Sequence, residues 1–119
     1  MSTKGKKGVY RLNLDCGRMG ELNGVFIATD KQVNKLVSSQ IKVYFGEVLG
    51  KHSEIYGSID AKEISLISDK PEVVKVVREH KLVSGYNPFH YTAVEVDEKY
   101  QDMTLTTIID EMLAEDEQN

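Results

Sequence analysis

The sequence predicts an α+β fold in which a small antiparallel sheet carries two to three helices. Residues 8–16 alternate between apolar and polar side chains, which is the pattern of a half-buried strand. Short strand-like segments follow one another through tight connections, and this favours antiparallel pairing. Residues 30–39 and 104–114 instead repeat apolar side chains at helical spacing, which predicts helices that cover one face of the sheet.

The first predicted strand, residues 8–16, has one buried face. The side chains expected on that face are Tyr10, Leu12, Leu14 and Cys16. The glycine-rich segment 17–24 is predicted to be a turn, because glycine adopts backbone conformations that other residues avoid. Residues 25–27 then form a short strand, the hairpin partner of the first.

The next segments are predicted to be a helix and three strands. Thr29 and Gln32 have the spacing of a capping box, in which two side chains satisfy the first backbone N–H groups, so we expect a helix over 30–39. The strands that follow are expected at residues 41–49, 54–60 and 63–67. Gly46 is expected to mark a bulge in the first of them.

A second helix is predicted over residues 70–80 and is expected to be mostly buried, because it carries four valines. Asp69 and Glu72 have the spacing of another capping box, and Pro71 suits a first helical turn. The segments that follow are a loop at residues 84–89 and an edge strand at residues 91–96.

These elements divide the chain into a disordered basic arm at residues 1–7, an α+β domain at residues 8–103, and an amphipathic helix with an acidic tail at residues 104–119. The apolar stripe of that last helix consists of Leu105, Ile108, Ile109, Met112 and Leu113. Such a stripe must be buried, either on its own domain or on a neighbouring copy. The polar connection at 92–103 favours the neighbour, so we predict a homo-oligomer.

Composition and charge argue against several classes of function. The 119 residues include 15 basic and 19 acidic side chains, and no apolar run is long enough to span a membrane. The middle of the chain is neutral overall, which argues against binding to duplex nucleic acid. A single cysteine, Cys16, permits no internal disulfide and fits a cytoplasmic protein. The three histidines lack metal-ligand spacing, so we expect neither a metal nor a cofactor.

Three polar segments are candidates for ligand binding. The residues that we single out in them are Arg18, Lys51, His52, Ser53, Tyr56, Tyr86, Asn87 and Phe89. A guanidinium in the glycine-rich turn can hold a phosphate bidentately, the segment at 51–54 gathers a cation, an imidazole and a hydroxyl, and the loop at 84–91 sets aromatic rings beside an amide. The structural alternatives are a plain hairpin loop, a solvated hairpin tip, and a loop that packs Phe89 and Tyr91 in the core.

No catalytic motif is recognisable. Adjacent side chains of an extended chain point apart, so His52 and Ser53 do not form a nucleophile–base pair. Cys16 with a distant histidine is one conceivable thiol nucleophile, but its expected place on the buried face indicates a structural role instead. The residues therefore indicate a binding protein rather than an enzyme.

Three stretches of the chain resemble small proteins of bacterial viruses. They are residues 14–18, residues 44–47 with 50–54, and residues 84–89. In size and layout the chain is similar to the phage anti-defence proteins that counter Thoeris immunity by sequestering cyclic ADP-ribose signals. That resemblance implies an oligomer that encloses a nucleotide-like ligand at its subunit interfaces in the host cytoplasm. It assigns no binding residue.

The predicted function is therefore that of a non-catalytic, phage-encoded inhibitor of host defence that sequesters a nucleotide-type signal molecule. Two alternatives stay open. One is a protein-binding inhibitor of a host factor, which uses surface loops and the acidic end of the chain. The other is a small nucleotide hydrolase.

Overall fold

The computed structural model describes residues 5–48 and 54–118, and within them the fold is α+β, as predicted. The strands are β1 Lys7–Asp15, β2 Glu21–Thr29, β3 Lys42–Gly46, β4 Ile55–Gly57, β5 Ile64–Ser68, β6 Ser84–Gly85 and β7 Thr92–Val94. The α-helices are α1 Asp30–Ser39, α2 Pro71–Glu79 and α3 Leu105–Gln118. The strands form two antiparallel sheets instead of one, in the orders β5-β1-β2-β6 and β4-β3-β7.

The first hairpin is longer than predicted. β2 pairs with β1 over nine residues, from Lys7 opposite Thr29 to Asp15 opposite Glu21, and the turn between them is a short 3₁₀ segment at Gly17–Met19. The assignment of residues 21–24 to the turn is therefore wrong. Polar side chains in this part of β2 hide the strand in the sequence, because they lie on a face that is open to solvent.

The two predicted capping boxes have different outcomes. At the start of α1 the Gln32 backbone N–H donates to Thr29 Oγ1 (3.1 Å), and the Thr29 N–H donates to Gln32 Oε1 (3.0 Å), which confirms the first box. The second is wrong, since the cap of α2 is Lys70 and makes no side-chain hydrogen bond. Pro71 does occupy the first turn of α2, as predicted. The expectation that this helix is mostly buried is also wrong, because Val76 is 48% exposed.

Two predictions about the second sheet are confirmed. The β3–β4 register shifts between Tyr44 and Gly46, which is the expected bulge. The segment β7 is an edge strand that pairs with β3. Within the described residues, no helix is long and apolar enough to cross a membrane.

The helix α3 packs on its own chain. Its side chains Leu105, Ile108 and Ile109 are fully buried in the main core, and α3 lies against α1. Polar contacts reinforce this packing, since the Gln32 side-chain amide donates to Asp110 Oδ1 at 3.0 Å. The apolar stripe therefore needs no neighbouring copy to bury it. The homo-oligomer stays a prediction, but α3 no longer supports it.

Residues 5–7 of the predicted disordered arm are ordered, and residues 1–4 lie outside the described residues. The Asp30 backbone N–H donates to the Lys6 carbonyl oxygen (2.9 Å), and the Lys6 N–H donates back to Asp30 Oδ1 (2.9 Å). Lys7 already pairs with Thr29 in the sheet. The two lysines thus belong to the folded domain, held by a contact with the first residue of α1.

The four-stranded sheet has two unlike faces. The inner face joins α1, α3 and the second sheet in the main core through Tyr10, Leu12, Leu14, Leu22, Phe26 and Ala28. The outer face is covered at one end by α2, in a small cluster of Val9, Val25, Ile27, Val73, Val74 and Val77. The side chains of β1 beyond this cluster, Arg11, Asn13 and Asp15, are polar and exposed, whereas β5 leaves Leu66 and Ile67 about half exposed.

Candidate functional site

The structure leaves part of the predicted site undescribed. Lys51, His52 and Ser53 lie outside the described residues. Arg18 is exposed on the 3₁₀ turn between β1 and β2, and Tyr56 is exposed on β4. Tyr56 lines a small concavity of about 220 Å³ between the end of β1 and β4.

Phe89 is a core residue and not a ligand-binding one. Its side chain is only 4% exposed, and its ring packs edge-on against Phe26 with the ring centroids 6.0 Å apart. Tyr91 packs on Phe45 with the ring centroids 4.9 Å apart, and Tyr86 is half-buried beside Tyr91. The loop at residues 84–91 therefore packs its aromatic rings in the core, between the two sheets, which is the structural alternative to a ligand-binding loop.

Asn87 makes hydrogen bonds within its own loop and also lines a concavity. Its side-chain oxygen accepts a hydrogen bond from the Phe89 backbone N–H (2.9 Å), which starts the 3₁₀ turn Pro88–His90. Its amide nitrogen lies 3.3 Å from His90 Nε2. Both residues line a concavity of about 290 Å³. The predicted site residues therefore do not form one site, because Tyr56 and Asn87 line different concavities.

Cys16 fits a structural role better than a catalytic one. It is half-buried at the end of β1, and burial raises the pKa of its thiol, with further contributions from the carboxylates of Asp15 and Glu63. A raised pKa keeps the thiol protonated at neutral pH, whereas a nucleophilic cysteine needs the thiolate. This environment opposes the thiol-nucleophile alternative.

A candidate site among the described residues lies beside β6, along the edge of β2, and we call it the β6 groove. It consists of two adjoining concavities of about 360 and 290 Å³ that share Val25 and Ser84. The first is further lined by Arg11, Asn13, Asn23 and Gly24. The second is further lined by Phe26, Ile27, Val83, Gly85, Asn87 and His90.

Strand geometry positions the polar side chains of the β6 groove. Alternation along β1 places Arg11 and Asn13 on the outer face, opposite the buried residues of that strand. Asn23 lies directly across from Asn13 in the β1–β2 register. Cross-strand neighbours have Cβ atoms about 5 Å apart, so the two amides project side by side.

Two glycines let β6 approach β2 closely enough to form the wall of the groove. A Cβ on Gly24 would collide with the backbone of Tyr86, and a Cβ on Gly85 would collide with the carbonyl oxygen of Asn23. Gly85 also has φ of +68°, a left-handed conformation that favours glycine. The Tyr86 N–H then donates to the Asn23 carbonyl oxygen at 3.1 Å, which fixes the loop that carries Asn87.

The β6 groove combines polar donors with apolar walls. A guanidinium, amides, a hydroxyl and an imidazole face it, whereas none of its lining residues is a carboxylate. Sequence reasoning missed Arg11, Asn13 and Ser84 and placed Asn23 in a turn. The sequence signal that could have indicated this site was the row of polar residues on the solvent side of β1. Only the strand register shows which residues of β2 lie beside that row.

In the described part of the chain, no group of three or more His, Cys, Asp or Glu side chains is arranged to hold a metal ion. Comparison with known proteins finds no matching family model, no matching curated protein and no matching solved structure.

Proposed function

We propose that the protein is a non-catalytic binding protein that sequesters a nucleotide-type signal molecule in the β6 groove. The observation that carries this proposal is that Arg11 and the paired amides of Asn13 and Asn23 line one concavity, that Asn87 lines the adjoining one, and that neither has a lining carboxylate. A carboxylate there would repel a phosphate. Its absence from the lining residues suits an anionic ligand, although Asp15 and Glu21 form the next cross-strand pair along the same face.

Each group of the groove has a natural counterpart on a nucleotide. Arginine binds phosphate oxygens through two parallel hydrogen bonds. Asparagine side chains pair with the hydrogen-bonding edge of a purine. The valines at positions 25 and 83 offer apolar walls for a ring. The two concavities, at about 360 and 290 Å³, have the scale of small-molecule sites.

The groups that line the β6 groove favour binding over catalysis. His90 supplies the one imidazole among the lining residues, and its Nε2 lies 3.3 Å from the amide nitrogen of Asn87 rather than beside a nucleophile. Acid–base catalysis needs a second group that titrates or a nucleophile that the first can activate. Ser84 has no described hydrogen bond to His90 that would make it such a nucleophile.

The biological setting of the proposal comes from the resemblance to phage anti-defence proteins. In that setting the protein acts in the host cytoplasm as an inhibitor that removes a nucleotide signal. A homo-oligomer is part of the proposal, because proteins of that kind enclose their ligand between subunits. Light scattering at micromolar concentration measures the assembly directly.

The test is a capture experiment with the full chain. The purified protein is incubated with the small-molecule extract of bacterial cells, washed and heat-denatured, and the released compounds are identified by mass spectrometry. We expect an intact nucleotide to be released. An altered nucleotide would instead indicate a hydrolase, and release of nothing would favour a protein-binding inhibitor.

Variants locate the capture within the fold. Arg11→Gln should reduce the captured nucleotide at least about tenfold, since hydrogen bonds to charged groups contribute about 1.5–3 kcal/mol. Lys62→Gln removes the same charge from the 3₁₀ turn Ala61–Glu63, which does not line the groove, and should leave capture unchanged. Equal capture by the wild type and Arg11→Gln would show that the nucleotide binds elsewhere.

A further inference from the structure

A second groove lies on the other part of the outer face, between the start of β1 and α2, and we call it the α2 groove. It has a volume of about 480 Å³. Its lining residues are Lys6, Lys7, Asp69, Pro71, Val74, Lys75, Arg78 and Glu79. It shares no lining residue with the β6 groove, so the two sites can be tested separately.

The two walls of the α2 groove come from distant parts of the chain. One wall is the segment that leads into β1, which the reciprocal hydrogen bonds between Lys6 and Asp30 hold in place. The other wall is one side of α2, where Pro71, Val74, Lys75 and Arg78 recur at the i, i+3, i+4, i+7 spacing of a single helix face. Cations therefore face the groove from both sides.

The charge of the groove is positive on balance. Four cations line it against the two carboxylates of Asp69 and Glu79. Those carboxylates make long, exposed ion pairs, with Lys6 at 3.8 Å and Lys75 at 3.9 Å. Exposed pairs of this kind are weak, so a stronger anion can replace them. Lys7 and Arg78 make no ion pair within the described residues.

We propose that the α2 groove binds the diphosphate group of a small molecule. An anion with two adjacent charged centres can contact Lys7 on one wall and Arg78 on the other at the same time. Pro71 supplies an exposed apolar surface beside the cations.

Titration of the full chain with inorganic pyrophosphate at low salt tests the proposal. Calorimetry should show saturable binding of one pyrophosphate per chain, weakened by added salt as surface charges are screened. Lys7→Gln and Arg78→Gln should each weaken binding about tenfold, as loss of a charged hydrogen bond does. Lys62→Gln carries the same loss of charge away from the groove and should change the affinity less than twofold.

A nucleoside diphosphate, ADP, forms the second arm of the titration. Tighter binding of ADP than of pyrophosphate that is lost in Lys7→Gln and Arg78→Gln but kept in Arg11→Gln would support the proposal and identify an organic diphosphate as the ligand class. Tighter binding that is lost only in Arg11→Gln would assign the ADP to the β6 groove and leave pyrophosphate as the probe of the α2 groove. Equal binding of both would support it for the phosphates alone. No saturable binding of either compound would overturn it, and so would an equal loss in Lys7→Gln, Arg78→Gln and Lys62→Gln in proteins that keep the wild-type circular dichroism spectrum.

Discussion

The two faces of the four-stranded sheet are built from the same strands but have opposite roles. On the inner face Leu12, Leu22 and Phe26 are almost completely buried in a core that also holds α1, α3 and the second sheet. On the outer face one nine-residue helix covers a small cluster of valines and an isoleucine, and the side chains of β1 beyond that cluster are polar. Stability is concentrated on the inner face, whereas the α2 groove and the part of the β6 groove lined by Arg11, Asn13 and Asn23 open on the outer one.

This division separates folding from binding. A substitution on the outer face removes few buried contacts, so the polar residues there can serve a ligand at little cost in stability. The same reasoning makes α2 the helix that opens most easily, because local opening costs least where few apolar contacts are lost. Comparing the loss of unfolding free energy for substitutions on the two faces measures how completely stability is confined to the inner face.

The largest effect is expected on the inner face. Phe26→Ala removes a ring that contacts both Tyr10 and Phe89, with ring centroids 6.2 and 6.0 Å away. Loss of a buried phenylalanine costs about 3–5 kcal/mol of unfolding free energy. Urea denaturation followed by circular dichroism gives the value, and a loss below about 1 kcal/mol would show that this core is loosely packed.

The next effect concerns the junction that forms the β6 groove. Gly85→Ala places a Cβ against the Asn23 carbonyl oxygen and strains a left-handed backbone, so we expect a loss of about 2 kcal/mol or more. Hydrogen exchange at the Tyr86 amide, which donates to Asn23, should become faster. Gly17→Ala is the matched control, because Gly17 has nearly the same φ, +67°, and open space around it.

The control separates strain from collision at that junction. Gly17→Ala should lower the free energy of unfolding by the cost of the left-handed backbone alone, about 1–2 kcal/mol. It should leave the Tyr86 amide protected from hydrogen exchange. Equal losses in both variants, with unchanged exchange at Tyr86, would mean that β6 does not depend on close approach to β2.

A smaller effect is expected beneath α2 on the outer face. Val74→Ala removes two carbon atoms from a small cluster, so we expect a loss of about 1–2 kcal/mol. The same urea denaturation should show a clearly smaller loss than for Phe26→Ala. A loss as large as that of Phe26→Ala would contradict the division between the faces and place α2 in the main folding unit.

Local signals in the sequence were sufficient for some of the elements. The capping box at Thr29, the alternation of β1 and the bulge at Gly46 each depend on residues a few positions apart, and the structure confirms them. The amphipathic pattern of α3 was also clear. The surface on which it packs was not, because one apolar stripe fits its own domain or a neighbouring copy equally well.

The misses depend on partners that are distant in sequence. The segment at residues 5–7 is ordered by a contact with Asp30, 24 residues after Lys6. The start of β2 looks like a turn until its register against β1 is known, and that register also places Asn23 beside Asn13. The candidate grooves combine residues from three or more segments, so neither could be assembled from local patterns.

The smallest effect concerns the end of α2, where Lys81 has φ of +52°. The Lys81 N–H donates to the Arg78 carbonyl oxygen (3.3 Å) and the Leu82 N–H to that of Val77 (2.9 Å), which is the Schellman arrangement that glycine favours. Lys81→Gly should therefore raise the free energy of unfolding by about 0.5–1 kcal/mol. This is the backbone strain that glycine relieves, reduced by the greater conformational freedom that glycine gives the unfolded chain. Lys81→Ala removes the same charge without relieving the strain and should not gain.

The end of α1 offers the counterpart that sharpens this last prediction. Gln40 has φ of +55°, but its side-chain amide donates to the Val37 carbonyl oxygen at 2.8 Å. Gln40→Gly relieves the strain and loses that hydrogen bond, worth about 1 kcal/mol, so it should gain nothing. A higher urea midpoint for Lys81→Gly alone would show that backbone strain limits the stability of α2. If both glycine variants gain equally, the Gln40 hydrogen bond contributes nothing. If neither gains, left-handed strain does not limit stability at either helix end.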